Sequence, residues 1–153
     1  MAARFPYFDT SYLVRLYLED HGFEQVRELA GTGTAVTSAW HAKAEVVAAL
    51  HRAFRERRLQ QETYRTALDQ FIQDSGDGLL HWLPLTDDVQ RRLEEGFRKA
   101  SATTFLRAAD ALHLACAAEH GFTKVFSHDR HFLAAAPLFG LKGVNVIPAA
   151  SSD

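Results

Sequence analysis

The sequence predicts an α/β domain in which a mainly parallel sheet of about five short strands is sandwiched between helices. Three observations predict it. Short β-branched or aromatic runs alternate with longer stretches of helical periodicity along the whole chain. The 153 residues suit one domain and are too few for two ordinary ones. With 47% hydrophobic and 24% charged residues, the composition is globular, which excludes a disordered, collagen-like or coiled-coil chain. A single domain is expected over residues 1–148, followed by a frayed tail at 149–153.

Each element has a local cause. The aromatic run from Phe5 to Phe8 reads as a buried first strand, although Pro6 suits only a strand's first residue or an edge. Asp9, Thr10 and Ser11 then lead into Tyr12, Leu13, Leu16 and Tyr17 at helical spacing, and a second short helix follows from Phe23 to Ala30. Gly31 and Gly33 turn the chain into a second strand, Thr34 to Thr37. Ser38 is the expected cap of a long helix from Ala39 to about Leu59, with another from Gln61 to about Gln73. A third strand runs from Leu79 to Leu83 and stops at Pro84. Thr86 caps the next helix, whose first turn carries Asp87 and Asp88 in accord with the helix dipole. The most apolar helix spans Leu106 to His120 and ends at Gly121. A fourth strand at Thr123 to Ser127, a short helix at Arg130 to Ala136 and a fifth strand at Val144 to Ile147 complete the chain.

Charge and cysteine content narrow the function. Lys and Arg total 17 against 19 for Asp and Glu, so the chain carries no broad positive field of the kind that coats nucleic acid. The lone Cys116, set between alanines, reads as a small buried hydrophobe, and no cysteine pair exists for a zinc ribbon or redox motif. The first residues have no apolar leader core, and no run approaches the ~20 apolar residues of a membrane span. The expectation is a cytoplasmic protein without membrane contact.

Four acidic residues stand in telling places. Asp9 follows the first strand and Asp129 the fourth, at the carboxyl ends where open parallel sheets bind ligands. Glu45 borders the apolar stripe of the long helix, and Asp110 lies inside the most apolar one. Singly, each has a structural reading. Asp9 and Asp129 can be caps, Glu45 can pair with Arg52 on its own face, and Asp110 can pair with Arg107. Together they read as one site. Converging carboxylates repel without a cation among them, and all-oxygen ligation favours Mg²⁺ or Mn²⁺.

The segments Phe8-Asp9-Thr10-Ser11-Tyr12-Leu13, Leu106-Arg-Ala-Ala-Asp110-Ala-Leu-His113-Leu-Ala115 and Phe126-Ser-His-Asp129-Arg-His-Phe132, with Glu45 in its helix, resemble the PIN domain. More narrowly they are similar to the VapC-type toxins of bacterial toxin–antitoxin pairs, over nearly the whole chain. The resemblance implies a three-layer PIN-like sandwich with Asp9, Glu45, Asp110 and Asp129 as the catalytic set that holds Mg²⁺ or Mn²⁺. Ser11 and Ser127 match supporting hydroxyl positions. It also implies an endoribonuclease in which metal-activated water cleaves RNA, leaving a 5′-phosphate and a 3′-hydroxyl. The implied partners are a transfer or ribosomal RNA, a cognate antitoxin and a second copy of the chain.

Other residues bear on this reading. Arg52 shares a face with Glu45 and is a candidate contact for a scissile phosphate. His113, His128 and His131 invite a zinc reading, but no His-Glu-x-x-His pattern accompanies them. A haloacid-dehalogenase-type phosphotransferase using Asp9 needs a second carboxylate two residues on, where this chain has Ser11. A PIN-like module that binds RNA or protein without cleaving is the remaining alternative.

Overall fold

The computed structural model describes residues 5–33 and 35–151. The expectations that fall on 1–4, on Thr34 and on 152–153 (part of the leader-free start, the start of the second strand and the end of the frayed tail) lie outside the described residues. The helices are α1 (Thr10–Leu13, continued by a 3₁₀ turn), α2 (Phe23–Gly31), α3 (Ala42–Arg55), α4 (Gln61–Gly76), α5 (Asp87–Lys99), α6 (Ala108–Glu119) and α7 (Arg130–Ala135). Between them run the strands β1 (Val36–Ala39), β2 (Leu80–Leu83), β3 (Lys124–Phe126) and β4 (Lys142–Val144).

The strands form two parallel pairs, β1 with β2 and β3 with β4. A ribbon of two residues joins them: Tyr7 bridges to Thr37 and Phe8 to Phe126, both in parallel sense. The expected first strand is therefore shorter than Phe5 to Phe8. Pro6 has no N–H to donate, although its carbonyl accepts from Thr37 at 2.8 Å. The α/β class and the parallel sense hold, with this ribbon in the place of the first strand.

Strand alternation explains why the ribbon is aromatic. Tyr7 enters the core with Leu114, Cys116, Val125 and Phe132, whereas Phe8 enters the opposite core with Tyr12, Val46, Leu50 and Phe126. One residue seeds each layer. Cys116 is buried as read from the sequence, and burial pushes its thiol up to about 12, so it stays a neutral apolar group.

Several boundaries differ from the sequence reading for identifiable reasons. Ser38 lies within β1 opposite Trp82, so it does not cap a helix; α3 begins at Ala42, after His41. That helix ends at Arg55, where Arg57 adopts a positive φ of 60° and the Arg58 N–H returns to the Ala53 carbonyl at 2.9 Å. The last strand lies earlier than Val144 to Ile147. Beyond Val144 the backbone turns to side-chain partners: Val146 N–H donates to the Tyr12 hydroxyl at 2.7 Å and Ile147 N–H to Asn145 Oδ1 at 3.1 Å. Thr86 caps α5 through the Val89 N–H as expected, and Gly121 takes the positive φ, 79°, that follows α6. Gly22, at the start of α2 with φ 84°, is required on two counts, since a Cβ there would also collide with Ile147.

Among the described residues, no helix is long and apolar enough to cross a membrane. The packing of α6 against the sheet is what sets the depth of Asp110 and His113. Leu114, fully buried on that helix, is the natural probe. Leu114→Ala should cost about 2–5 kcal/mol, read as a lower urea midpoint with an unchanged slope.

Candidate functional site

Asp9, Glu45, Asp110 and Asp129 line one cleft of about 140 Å³, together with Thr10, Ser11, Arg107 and His113. The cleft lies at the carboxyl ends of the central ribbon and β3, on the edge where parallel sheets expose ligand sites. Each acid arrives by a different route, and each route is visible in the hydrogen bonds.

Asp9 is 4% exposed and directly follows the ribbon. Its N–H donates to the Phe126 carbonyl at 3.0 Å, which ties it to β3. Its Oδ1 accepts from the Ser11 hydroxyl at 2.6 Å and the Tyr12 N–H at 3.1 Å, and its Oδ2 accepts from the Ser127 hydroxyl at 2.6 Å. Those hydroxyls act as relays. Ser127 Oγ also accepts the Asp129 N–H, and Ser11 Oγ the His128 N–H, each at 2.9 Å. Burial pushes the Asp9 carboxyl above its ordinary range, while the charge of His113 and the two serine hydroxyls pull it back. Asp9 also caps α1, so the structural and functional readings coincide at this residue.

Glu45 sits in the first turn of α3. Its Oε1 accepts from the Thr10 hydroxyl at 2.7 Å and from His113 Nε2 at 2.8 Å, and His41 Nε2 lies 3.5 Å away. The buried His113 is held at its other nitrogen by the Tyr7 hydroxyl, 2.8 Å from Nδ1. Burial pushes the Glu45 carboxyl up, but the bond to His113, its charge, Thr10 and His41 outweigh it, and the net displacement is downward.

Asp110 and Asp129 share one counterion. Arg107 Nε donates to Asp110 Oδ2 at 3.1 Å and Nη2 to Asp129 Oδ2 at 2.9 Å. Burial raises the Asp110 carboxyl, Arg107 opposes that, and the neighbouring Asp129 charge adds to the rise. Asp129 Oδ1 meanwhile accepts the N–H groups of His131 and Phe132 and caps α7.

The structure thus brings together all four acids and both serines singled out from the sequence. It does not bring in Arg52, whose Nε bonds Glu56 at 2.8 Å on an exposed part of α3, about two turns beyond Glu45. The histidines of the zinc reading do not converge either. His128 meets Asn145, and His131 packs on Phe105. Among the described residues, His41, Glu45 and His113 are the group whose candidate ligand atoms cluster, within 4.8 Å. Sequence reasoning missed His41, which lies one helical turn before Glu45, and also Thr10 and Tyr7. It paired Arg107 with Asp110 but had no signal for the second bond, to Asp129, because that contact depends on how α6 and α7 meet.

Comparison with known proteins bears on this arrangement. The family model described as PIN domain matches residues 7–137. Mycobacterium tuberculosis VapC20, described as a sarcin–ricin loop cleaving toxin, aligns at a TM-score of 0.66 and 18% identity, over 84% of this chain and 93% of its own. FitAB bound to an IR36 DNA fragment also aligns at 0.66, with 13% identity, over 96% of this chain and 99% of its own. At those identities the two structures share the fold. No curated protein matches the chain.

His41 offers a test of the site's electrostatics. Burial pushes its imidazole down to about 4, aided by His113 and opposed by Glu45 and by the Ala109 carbonyl. As pH falls, the unfolded chain, with an ordinary imidazole near 6.5, takes up the proton first. The folded state therefore loses stability between about 6.5 and about 4. Thermal melts of chelator-treated protein across that window should show the loss, and His41→Gln should flatten it. Parallel slopes for the two proteins would refute the assignment.

Proposed function

Because the chain belongs to the PIN-domain family, we propose that it is a divalent-metal-dependent endoribonuclease of the VapC toxin type. Asp9, Glu45, Asp110 and Asp129 are its catalytic, metal-holding carboxylates in this reading. One observation carries it: acids from four separate segments face one cleft at the carboxyl edge of a parallel sheet. The donor set suits a hard ion, being carboxylate oxygen backed by hydroxyls, and Mg²⁺ or Mn²⁺ is the proposed cofactor. The position of Arg107 supports the fit independently, since a positive charge already sits between two of the acids.

A divalent ion, when bound, supplies Lewis-acid polarisation of the phosphodiester and lowers the pKa of water. The chain's own residues do the positioning. Ser11, Ser127 and the Tyr12 N–H fix the plane of the Asp9 carboxylate and use three of its about four acceptor sites, which leaves one, on Oδ2. Thr10 and His113 hold Glu45 Oε1, which leaves Oε2 outside those two bonds. The exposed guanidinium of Arg107 can take a phosphate oxygen by the same geometry with which it now takes carboxylates. Hydrolysis by water then leaves a 5′-phosphate and a 3′-hydroxyl.

The sarcin–ricin loop cleavage described for VapC20 supports a transfer or ribosomal RNA loop as the substrate class. A cognate antitoxin and a second copy of the chain are the proposed protein partners, in the cytoplasm.

Purified protein with Mn²⁺ should cleave RNA, and expression should arrest growth. Asp9→Asn and Asp110→Asn should each lower kcat about a hundred-fold or more, as expected when several kcal/mol of charge stabilisation are lost, and relieve the arrest. Excess chelator should stop cleavage; undiminished cleavage in chelator would sink the metal mechanism. Metal-loaded protein that binds RNA yet leaves it intact would replace this reading with the non-cleaving module.

A further inference from the structure

Beside the acidic cleft stands an aromatic side chain with no evident role in folding. Phe105 is 53% exposed, although its neighbour Leu106 packs into the core and Arg107 directly precedes α6. Its ring lies 4.4 Å from that of His131 at an interplanar angle of 42°. Arg107 Cζ lies 5.8 Å from the Phe105 centroid, so one guanidinium touches both the ring and the acids Asp110 and Asp129. The backbone of His131 is tied to the same site, its N–H bonding Asp129 Oδ1 at 2.8 Å, which fixes where its ring can stand.

The segment that carries the ring is also held in place. Thr104 N–H donates to the Ser101 carbonyl at 3.0 Å and Ser101 N–H to Thr104 Oγ1 at 3.3 Å, closing a turn just before Phe105. An aromatic face carried by a fixed turn, with an arginine and an imidazole beside it, forms a surface suited to a flat π-system attached to an anion. A nucleobase of single-stranded nucleic acid has that chemistry, because bases stack on aromatic faces while cations follow the phosphates.

We infer that Phe105, backed by His131 and flanked by Arg107, is a stacking platform for one unpaired base of an RNA whose backbone crosses the acidic cleft. The inference rests on the ribonuclease reading above and adds to it a residue that contacts the substrate: Phe105 would engage the unpaired base beside the scissile linkage. In a duplex that base is already stacked, so the platform gains nothing from it.

The test uses Phe105→Ala and Phe105→Trp with a short unstructured oligoribonucleotide and a duplex of the same sequence. Cleavage rates are measured in Mn²⁺, and binding is measured by fluorescence anisotropy of the labelled strand in Mn²⁺ and in Ca²⁺. Phe105→Ala should raise KM and Kd for the single strand about ten-fold, with kcat within about two-fold and melting unchanged. Phe105→Trp should restore parental binding, and duplex binding should not respond. Equal KM and Kd for parent and Phe105→Ala overturn the platform while leaving the nuclease reading intact. Equal weakening in Phe105→Ala and Phe105→Trp also overturns it, since shape and not ring stacking would then matter. Binding that depends on Phe105 without any cleavage supports the platform and overturns the nuclease reading. A parent protein that binds no RNA overturns the platform outright.

Discussion

The structure depends on a two-residue ribbon, Tyr7-Phe8, that joins two parallel strand pairs into one sheet. Alternation sends Tyr7 into one core and Phe8 into the other, so both layers are pinned at adjacent positions of the chain. The next residue is Asp9, which therefore cannot move without moving the join. The same ribbon controls a second acid at a distance, because the Tyr7 hydroxyl fixes His113 and His113 fixes Glu45. Backbone places one carboxylate and a side-chain relay places another. The serine hydroxyls extend the control to Asp129, whose N–H is bonded to the Ser127 oxygen that also holds Asp9.

Burying carboxylates together is costly unless each finds donors or a cation. Here the solutions differ by position. Asp9, the deepest, is solvated by two hydroxyls and an N–H; Glu45 relies on a histidine and a threonine; Asp110 and Asp129 divide one arginine. The resulting carboxyls are pushed in opposite directions, with Asp9 and Asp110 upward and Glu45 downward. A site with one uniform affinity for protons would need identical surroundings for each acid, and four separate chain segments do not supply them.

Much of this was legible in the sequence. The alternation of short strands and helices gave the fold class, and the acids were marked by position: two at strand ends, two on apolar helix faces. What could not be read was whatever depends on the third dimension. Ser38 looks like a helix cap because capping chemistry is local, yet its backbone is claimed by the ladder with β2. Arg52 looks like a phosphate ligand because it shares a helical face with Glu45, yet Glu56 is one turn away and takes its guanidinium. The histidines show the same limit. His128 and His131 flank an acid in sequence, yet their rings meet Asn145 and Phe105, while His41, separated in the chain from His113, comes to 4.3 Å of that ring.

Arg107 has a consequence for the order of events in the life of the chain. The guanidinium belongs to the polypeptide, so the cleft acquires a positive charge as soon as α6 and α7 come together. The repulsion between Asp110 and Asp129 is thus answered within the chain, by a group that folds with it. Under the proposed function, a divalent ion would enter a cleft that already holds a positive charge between these two acids.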